Sequence, residues 1–303
     1  LANFVLIVLC LLIGQGLRRV KDFPRDGHRA LNAFIIYVAL PAVAFRYVPA
    51  IEWSGAVVWP FVVQFVGFGV ALGAVWLFGR MKPLDTATRG AMLLTMGLCN
   101  TSFVGFPLVE TWYGADAIRV ALLSDQGAFF VLSLLGVGFA TWYAEGHVSV
   151  GYLVRRVVSF PPFIAFVLAV LLPVNILPGW WGVLMEKLSA PLVPLALISV
   201  SLQISFGERF GQWGELWWSL MVKLVVVPAV ALGMLWWVAD MPEEYFKVTV
   251  FESAMAPMVT AYVVASQFRL NSTLAGYTVG VGILLSLLST AGWYYLLEWW
   301  WEG

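Results

Sequence analysis

Charge is scarce in this chain. Asp, Glu, Lys and Arg make up 11% of its 303 residues, and hydrophobic residues make up 61%. A soluble domain carries roughly 25% charged residues, and a soluble core of this length could not hide so much apolar side chain, whereas lipid can. The few charges cancel to a formal net of zero, which excludes a global field directed at nucleic acid or an acidic partner. Cysteine is almost missing. Cys10 and Cys99 fall inside apolar runs, without metal-ligand spacing or a disulfide framework, and read as small buried hydrophobes. The two histidines, His28 and His147, sit between apolar runs and read as solvated. There is no His-Glu-x-x-His pattern, no Gly-x-Ser-x-Gly elbow and no cysteine–histidine pairing at membrane depth, which argues against an intramembrane enzyme.

What is abundant is the long apolar run. Ten such segments recur, at about 2–17, 30–48, 56–80, 89–112, 116–144, 157–173, 180–206, 213–238, 245–267 and 272–300. Each is near the roughly 17–25 residues a helix needs to cross hydrocarbon. The expected fold class is therefore an all-α integral membrane protein of ten transmembrane helices. Residues 2–16 are apolar, lack a basic leader and run into Arg18 and Arg19. That reads as a first membrane helix and not as a signal peptide. The chain opens on Leu1 and not on Met, which leaves open whether the native N-terminus extends before it.

The distribution of cations tests the count. With the loop after the first helix inside, the inner side collects Arg18, Arg19, Lys21, Arg25, Arg29, Arg80, Lys82, Arg89, Arg155, Arg156, Arg209 and Arg269. The outer side receives only Arg46, Arg119, Lys187 and Lys247. Twelve against four follows the positive-inside rule and places both termini outside. Five helices per half make the halves inverted. Helix three reads Trp59-x4-Gln64 and then Ala71-Leu72-Gly73, and helix eight reads Trp218-x4-Lys223 and then Ala231-Leu232-Gly233. Helices five and ten share Leu132-Ser133-Leu134-Leu135 with Leu285-Ser286-Leu287-Leu288. The expected organisation is a first five-helix repeat over 1–145, a short loop over 146–156 and a second, inverted repeat over 157–303. Inverted repeats are an arrangement of secondary transporters, whose sites form where helices break at mid-membrane.

Two segments carry such breaks. Helix four holds Asn100-Thr101-Ser102-Phe103-Val104-Gly105-Phe106-Pro107, and helix nine holds Glu252-Ser253-Ala254-Met255-Ala256-Pro257. Proline removes a backbone donor, glycine loosens the helix, and the polar side chains satisfy freed groups. The half-helix N-termini beyond the breaks favour an anion. Lys223, near the centre of helix eight, costs about 2.5–3.5 kcal/mol there unless it meets a polar cavity or a partner. The expected substrate-binding set is Asn100, Thr101, Ser102, Gly105, Pro107, Lys223, Ala256 and Pro257. Asp125, Gln126, Glu252 and Gln64 form a second set, as coupling or charge-compensating groups. A structural ion pair of Lys223 with Asp125 or Glu252 is the competing reading. Glu110 reads as solvated, Gln203 as interfacial, and the 16 tryptophans as interface belts and lipid-facing bulk.

The run Asn32-Ala33-Phe34-Ile35-Ile36-Tyr37-Val38-Ala39-Leu40-Pro41 resembles the auxin efflux carrier family. So do the stretch from Asn100 to Pro107, Ser124-Asp125-Gln126, and the stretch from Glu252 to Pro257. The resemblance covers essentially the whole chain. It implies a fold distantly shared with bile-acid sodium symporters, in which helices four and nine cross at their breaks. A scaffold of helices one, two, six and seven holds a mobile transport domain of helices three to five and eight to ten. The short connection between repeats resembles the compact prokaryotic branch, which implies the cytoplasmic membrane, a small carboxylate that is auxin-like or malate-like, and a homodimer through the scaffold. Asn100 and Glu252 resemble sodium ligands of the bile-acid relatives, so coupling to a proton or to sodium stays open and no bound cofactor is expected. The function implied is a secondary transporter of a small organic anion with an elevator motion. The alternatives are a cation-coupled, bile-acid-like symporter and a membrane receptor that does not transport.

Overall fold

The computed structural model describes residues 2–24, 26–51, 53–172, 178–203, 210–238 and 241–302. Arg25, Arg209 and the last residues of the expected sixth and seventh segments lie outside that set. The described chain is all helical apart from one isolated antiparallel bridge. We label the helices α1 (Ala2–Leu17), α2 (Gly27–Ala50), α3 (Gly55–Met81), α4 (Thr86–Gly97), α5 (Phe106–Tyr113), α6 (Ala115–Ala144) and α7 (Val150–Val158). The remainder are α8 (Pro161–Leu171), α9 (Trp181–Gln203), α10 (Trp213–Trp236), α11 (Glu243–Ser253), α12 (Val259–Gln267) and α13 (Ser272–Glu302).

Six of these, α2, α3, α6, α9, α10 and α13, are long and apolar enough to cross a membrane unaided. The pair α7 and α8 passes together but bends by 60° between Val158 and Pro161. α1 is a shorter apolar helix. The expected fourth and ninth segments are each two short helices on either side of a non-helical stretch, α4 with α5 and α11 with α12.

The connection expected to be a short loop over 146–156 carries helix α7, and the helix in the expected sixth segment begins at Pro161, later than the expected 157. The reason is amphipathic spacing. Leu153 and Val157 are buried four residues apart, Ser149 caps the first turn by accepting the Tyr152 N–H at 3.4 Å, and Arg155 and Arg156 favour the negative end of the helix dipole. Lys247 is another correction. It is not a loop cation but is buried in α11, paired with Glu243 at 2.5 Å and with Glu298 of α13 at 2.8 Å. His28 lies in the first turn of α2 and not in a loop.

Prolines shape the long helices in a consistent way. Widened π-helical turns at Ile35–Ala39, Thr101–Gly105 and Val222–Val226 immediately precede Pro41, Pro107 and Pro228. A proline lacks the N–H that would bond the carbonyl four residues back, and the preceding turn widens to accommodate its ring. In α10 the carbonyl freed by Pro228 is that of Leu224, and the Trp293 indole N–H of α13 donates to it at 2.9 Å.

Packing divides the helices into two groups. α1, α2, α8 and α9 pack on one another. Gln15 donates to the Ser201 carbonyl at 2.6 Å, the Ser201 hydroxyl to the Leu11 carbonyl at 2.6 Å, and Ser199 to Asn32 at 2.5 Å. The other helices gather around α4 and α6. There Lys82 of α3's C-terminal edge pairs with the buried Glu215 of α10 at 2.6 Å, and Arg119 of α6 pairs with Glu244 of α11 at 2.5 Å.

The α3–α6 contact rests on a missing side chain. A β-carbon at Gly127 would stand 2.8 Å from both the Cα and the carbonyl oxygen of Phe61, which are backbone atoms that cannot rotate away. Gly127→Ala should lower stability by about 1–3 kcal/mol, the usual cost of overpacking. Gly73→Ala, with open space at its β-carbon, should be neutral or better. Thermal unfolding of the two variants in detergent checks this; equal transitions would show that the helices do not approach so closely.

Candidate functional site

The two non-helical stretches pair with each other. Each arises in a run that gives up helical hydrogen bonding, with Gly97 and Asn100 bounding the first and Pro257 inside the second. Cys99 and Pro257 form the isolated antiparallel bridge. The Asn100 N–H donates to the Ala256 carbonyl at 3.0 Å, and the Met258 N–H to the Leu98 carbonyl at 3.0 Å. Two segments that could not stay helical thus satisfy one another's backbone, which an apolar interior requires. Neighbouring helices press close on this pair. A β-carbon at Gly105 would stand 2.6 Å from Glu252 Oε2, and one at Gly282 of α13 would stand 2.6 Å from Pro257 Cδ.

A cavity of about 400 Å³ opens against this pair. Its floor is formed by Asn100, Ser102, Met258 and Thr260 together with Asp125 of α6. Asp125 Oδ1 accepts the Thr101 hydroxyl at 2.6 Å and also the Ser102 hydroxyl. The opposite wall comes from the other helix group, with Asn32 and Tyr37 of α2, Gln203 of α9, and Phe160 beside α8. Phe129 of α6 and Phe160 stack across the divide, centroids 3.9 Å apart and planes within 12° of parallel. Arg156, in the last turn of α7, completes the wall.

Of the residues expected to bind substrate, Asn100 and Ser102 line this cavity. Thr101 lies behind them, turned to Asp125. Gly105 packs on Glu252, and Ala256 and Pro257 serve through their backbone. Pro107 faces a second cavity of about 390 Å³, formed by the other halves of α2 and α9 with α1 and α5. Glu110 and Arg46 face it too, so Glu110 lies in a cavity wall and not simply at a solvated helix end.

Lys223 is 1% exposed and is not part of either cavity's lining. The widened turn of α10 carries it to the joint of the two breaks, where its ammonium donates to the Ser253 carbonyl at 3.2 Å and to Cys99 Sγ. A cation there faces the carbonyl end of α11, where the helix dipole favours it. The competing pairing with Asp125 or Glu252 does not appear as a direct ion pair among the described residues. Glu252 is fully buried beside Ser253, however, so its carboxylate shares the neighbourhood.

Several buried polar atoms here have no protein partner: Asn100 Nδ2, Gln64 Nε2, both amide atoms of Gln126, the Ser124 hydroxyl and both oxygens of Glu252. Buried groups left open like this are uncommon in folded proteins, and a bound water or ion is one explanation for them. Among the described residues no cluster of three or more His, Cys, Asp or Glu could hold a metal ion.

Three contributors escape a reading of the sequence alone. Cys99 behaves as a polar contact in the break and not only as a small hydrophobe. Gln203 lines the cavity and also bonds back to the Ser199 carbonyl at 3.0 Å. Arg156 looks like a loop cation until α7 is recognised, and the signal that could have revealed it is the Leu153–Val157 spacing.

Residues 2–294 match the family described as membrane transport protein, the auxin efflux carrier family, and the chain belongs to it. An uncharacterized transporter of Methanothermobacter thermautotrophicus is 28% identical over 95% of both chains. An uncharacterized transporter of Methanocaldococcus jannaschii is 25% identical over 97% of this chain and 98% of its own. A putative malonate transporter of Rhizobium meliloti is 24% identical over 95% of this chain and 92% of its own. The protein is thus an integral membrane protein of a transporter family, and a transported small molecule is its substrate.

The position of Lys223 leads to a double-mutant test. Lys223→Met keeps the stem and removes the charge, leaving Glu252 without a nearby cation. Breaking a buried charge relationship on one side costs about 3–5 kcal/mol. We expect Lys223→Met to lower the unfolding transition sharply and the double variant with Glu252→Gln to recover a large part of the loss. If single and double variants unfold alike, the two groups are not coupled and Lys223 serves the helix end alone.

Proposed function

We propose that this protein is a secondary transporter of a small organic carboxylate, with the paired breaks as its substrate site. The observation that carries the reading is the cavity against those breaks, which Asn100, Ser102 and the first turn of α12 line together, with the Asn100 amide left without a protein partner. A helix N-terminus presents free N–H groups and partial positive charge, which suits a carboxylate. The relative named as a putative malonate transporter makes malonate the first compound to try.

In this reading the chain crosses the membrane ten times as two inverted five-helix repeats, over 1–145 and 157–303. α4 with α5 and α11 with α12 are the broken, crossing spans. Both termini lie outside a prokaryotic cytoplasmic membrane. α1, α2, α8 and α9 are the scaffold, through which two copies pair, and the remaining spans move against it as an elevator. The division of packing into two groups, with the cavity between them, supports this assignment. Lys223 acts from behind the site by holding the α11 end of the break. Gly105, Pro107, Thr101, Ala256 and Pro257 shape the break. Asp125, Gln126, Glu252 and Gln64 are proposed as coupling groups, and Asn100 and Glu252 as sodium ligands if sodium and not a proton is the coupling ion. Their unpartnered buried atoms motivate this.

Purified protein in liposomes should take up labelled malonate or another short carboxylate, tested with and without sodium and pH gradients. A protein that binds such an anion but never moves it would favour the receptor reading. The elevator itself is tested by the aromatic stack. Cysteines replacing Phe129 and Phe160 should cross-link under oxidation, stop uptake by at least about tenfold, and recover with reductant. Undiminished uptake in the cross-linked protein would show that α6 and α8 do not slide past one another.

A further inference from the structure

We infer that Arg156 selects for anions at the entrance of the cavity, and that the amphipathic helix α7 exists to hold it there. This inference rests on reading that cavity as the transport site. Arg156, half-buried in the last turn of α7, lines the cavity, whereas its neighbour Arg155 is exposed and does not. No carboxylate pairs with Arg156 among the described side chains. Two other cations contrast with it. Lys223 is sealed behind the breaks, and Arg46, in the second cavity, is paired with Glu186 at 3.5 Å.

The two cavities therefore differ in charge balance. The one at Arg46 is lined by that arginine together with both Glu110 and Glu186, and so has an acidic excess. The one at Arg156 contains a single carboxylate, Asp125, which is 5% exposed and already accepts hydroxyls from Thr101 and Ser102. An anion in this cavity therefore meets a guanidinium that no carboxylate pairs with among the described residues. Low-dielectric walls strengthen the attraction relative to open water, and a cation is disfavoured by the same field.

The architecture of α7 fits the task. Leu153 and Val157 fasten one face to the protein, while Val150, Tyr152, Val154 and Val158 are exposed apolar side chains suited to the membrane boundary. The chain bends by 60° between α7 and α8, and Arg156, in the last turn before that bend, shares the cavity lining with Phe160 and Asn32. A basic residue at a helix C-terminus also steadies the helix. That role would be met equally by Arg155, so it does not account for a cavity-lining position.

The test does not depend on knowing the cargo. A cysteine placed at Thr260, in the cavity floor, is a reporter, because Cys10 and Cys99 are both buried. Its reaction rate is measured with the anionic reagent MTSES and the cationic reagent MTSET, in purified full-length protein at low salt. Relative to the Thr260→Cys parent, Arg156→Gln should lower the anionic-to-cationic rate ratio at least about fivefold, and Arg156→Lys should retain most of it. Arg155→Gln should change it less than about twofold, as expected for a solvent-screened charge. A second reporter at Val263, also in the lining, covers the case in which the first cysteine disturbs the fold. If Arg156→Gln shifts the ratio no more than Arg155→Gln does, the inference is overturned. If the ratio falls as stated while no carboxylate enters liposomes, Arg156 selects anions and the carboxylate reading fails alone.

Discussion

The structure depends on a backbone debt settled between two distant segments. Where α4 ends at Gly97 and α11 ends at Ser253, the chain leaves the helix with polar N–H and C=O groups inside an apolar body. The antiparallel exchange between residues 98–100 and 256–258 answers that need, with bonds of 3.0 Å in each direction. Neither segment could do so alone, because each carries features that prevent a continuous helix. Much of the surrounding construction serves this joint: Gly105 and Gly282 allow close approach, Lys223 neutralises the carbonyl end of α11, and Asp125 gathers the hydroxyls of Thr101 and Ser102.

The same logic of displaced hydrogen bonds recurs along the spans. Pro41, Pro107 and Pro228 each follow a widened turn, and the helical run continues through each of them. In α10 this turn presents Lys223, and the Leu224 carbonyl it frees is taken up by Trp293. A substitution at Trp293 would therefore act on α10 as much as on α13. The aromatic excess of the chain thus serves hydrogen bonding inside the protein as well as lipid contact: Trp218 also donates inward, to the Ala74 carbonyl at 3.2 Å.

The breaks were legible because proline, glycine and polar residues interrupt otherwise apolar runs, and composition announces such an interruption without any tertiary information. The long apolar helices were legible from length alone. What remained hidden depends on rotation and partner geometry. Nothing in the residues around Lys223 says whether its ammonium turns toward the cavity or toward Ser253; the phase of α10 and its widened turn decide that. Lys247 reads as a loop cation until Glu243 and Glu298 are seen beside it. Helix α7 reads as a loop in the sequence because nine residues give few turns in which a period can show, and Arg156 reads as a loop cation for the same reason. Thr101 and Ser102 are equivalent in the sequence, yet only Ser102 lines the cavity.

A pair of breaks that forms one binding unit should respond to a ligand as one unit. Backbone hydrogen exchange can measure this, segment by segment, with and without the anion that uptake into liposomes identifies. The account predicts that the peptides covering residues 98–107 and 254–263 gain protection together at a saturating concentration, because the ligand closes on the cavity that both line. Protection in one stretch without the other, or protection confined to the second cavity at Arg46 and Glu110, would contradict the claim that the paired breaks form the transport site.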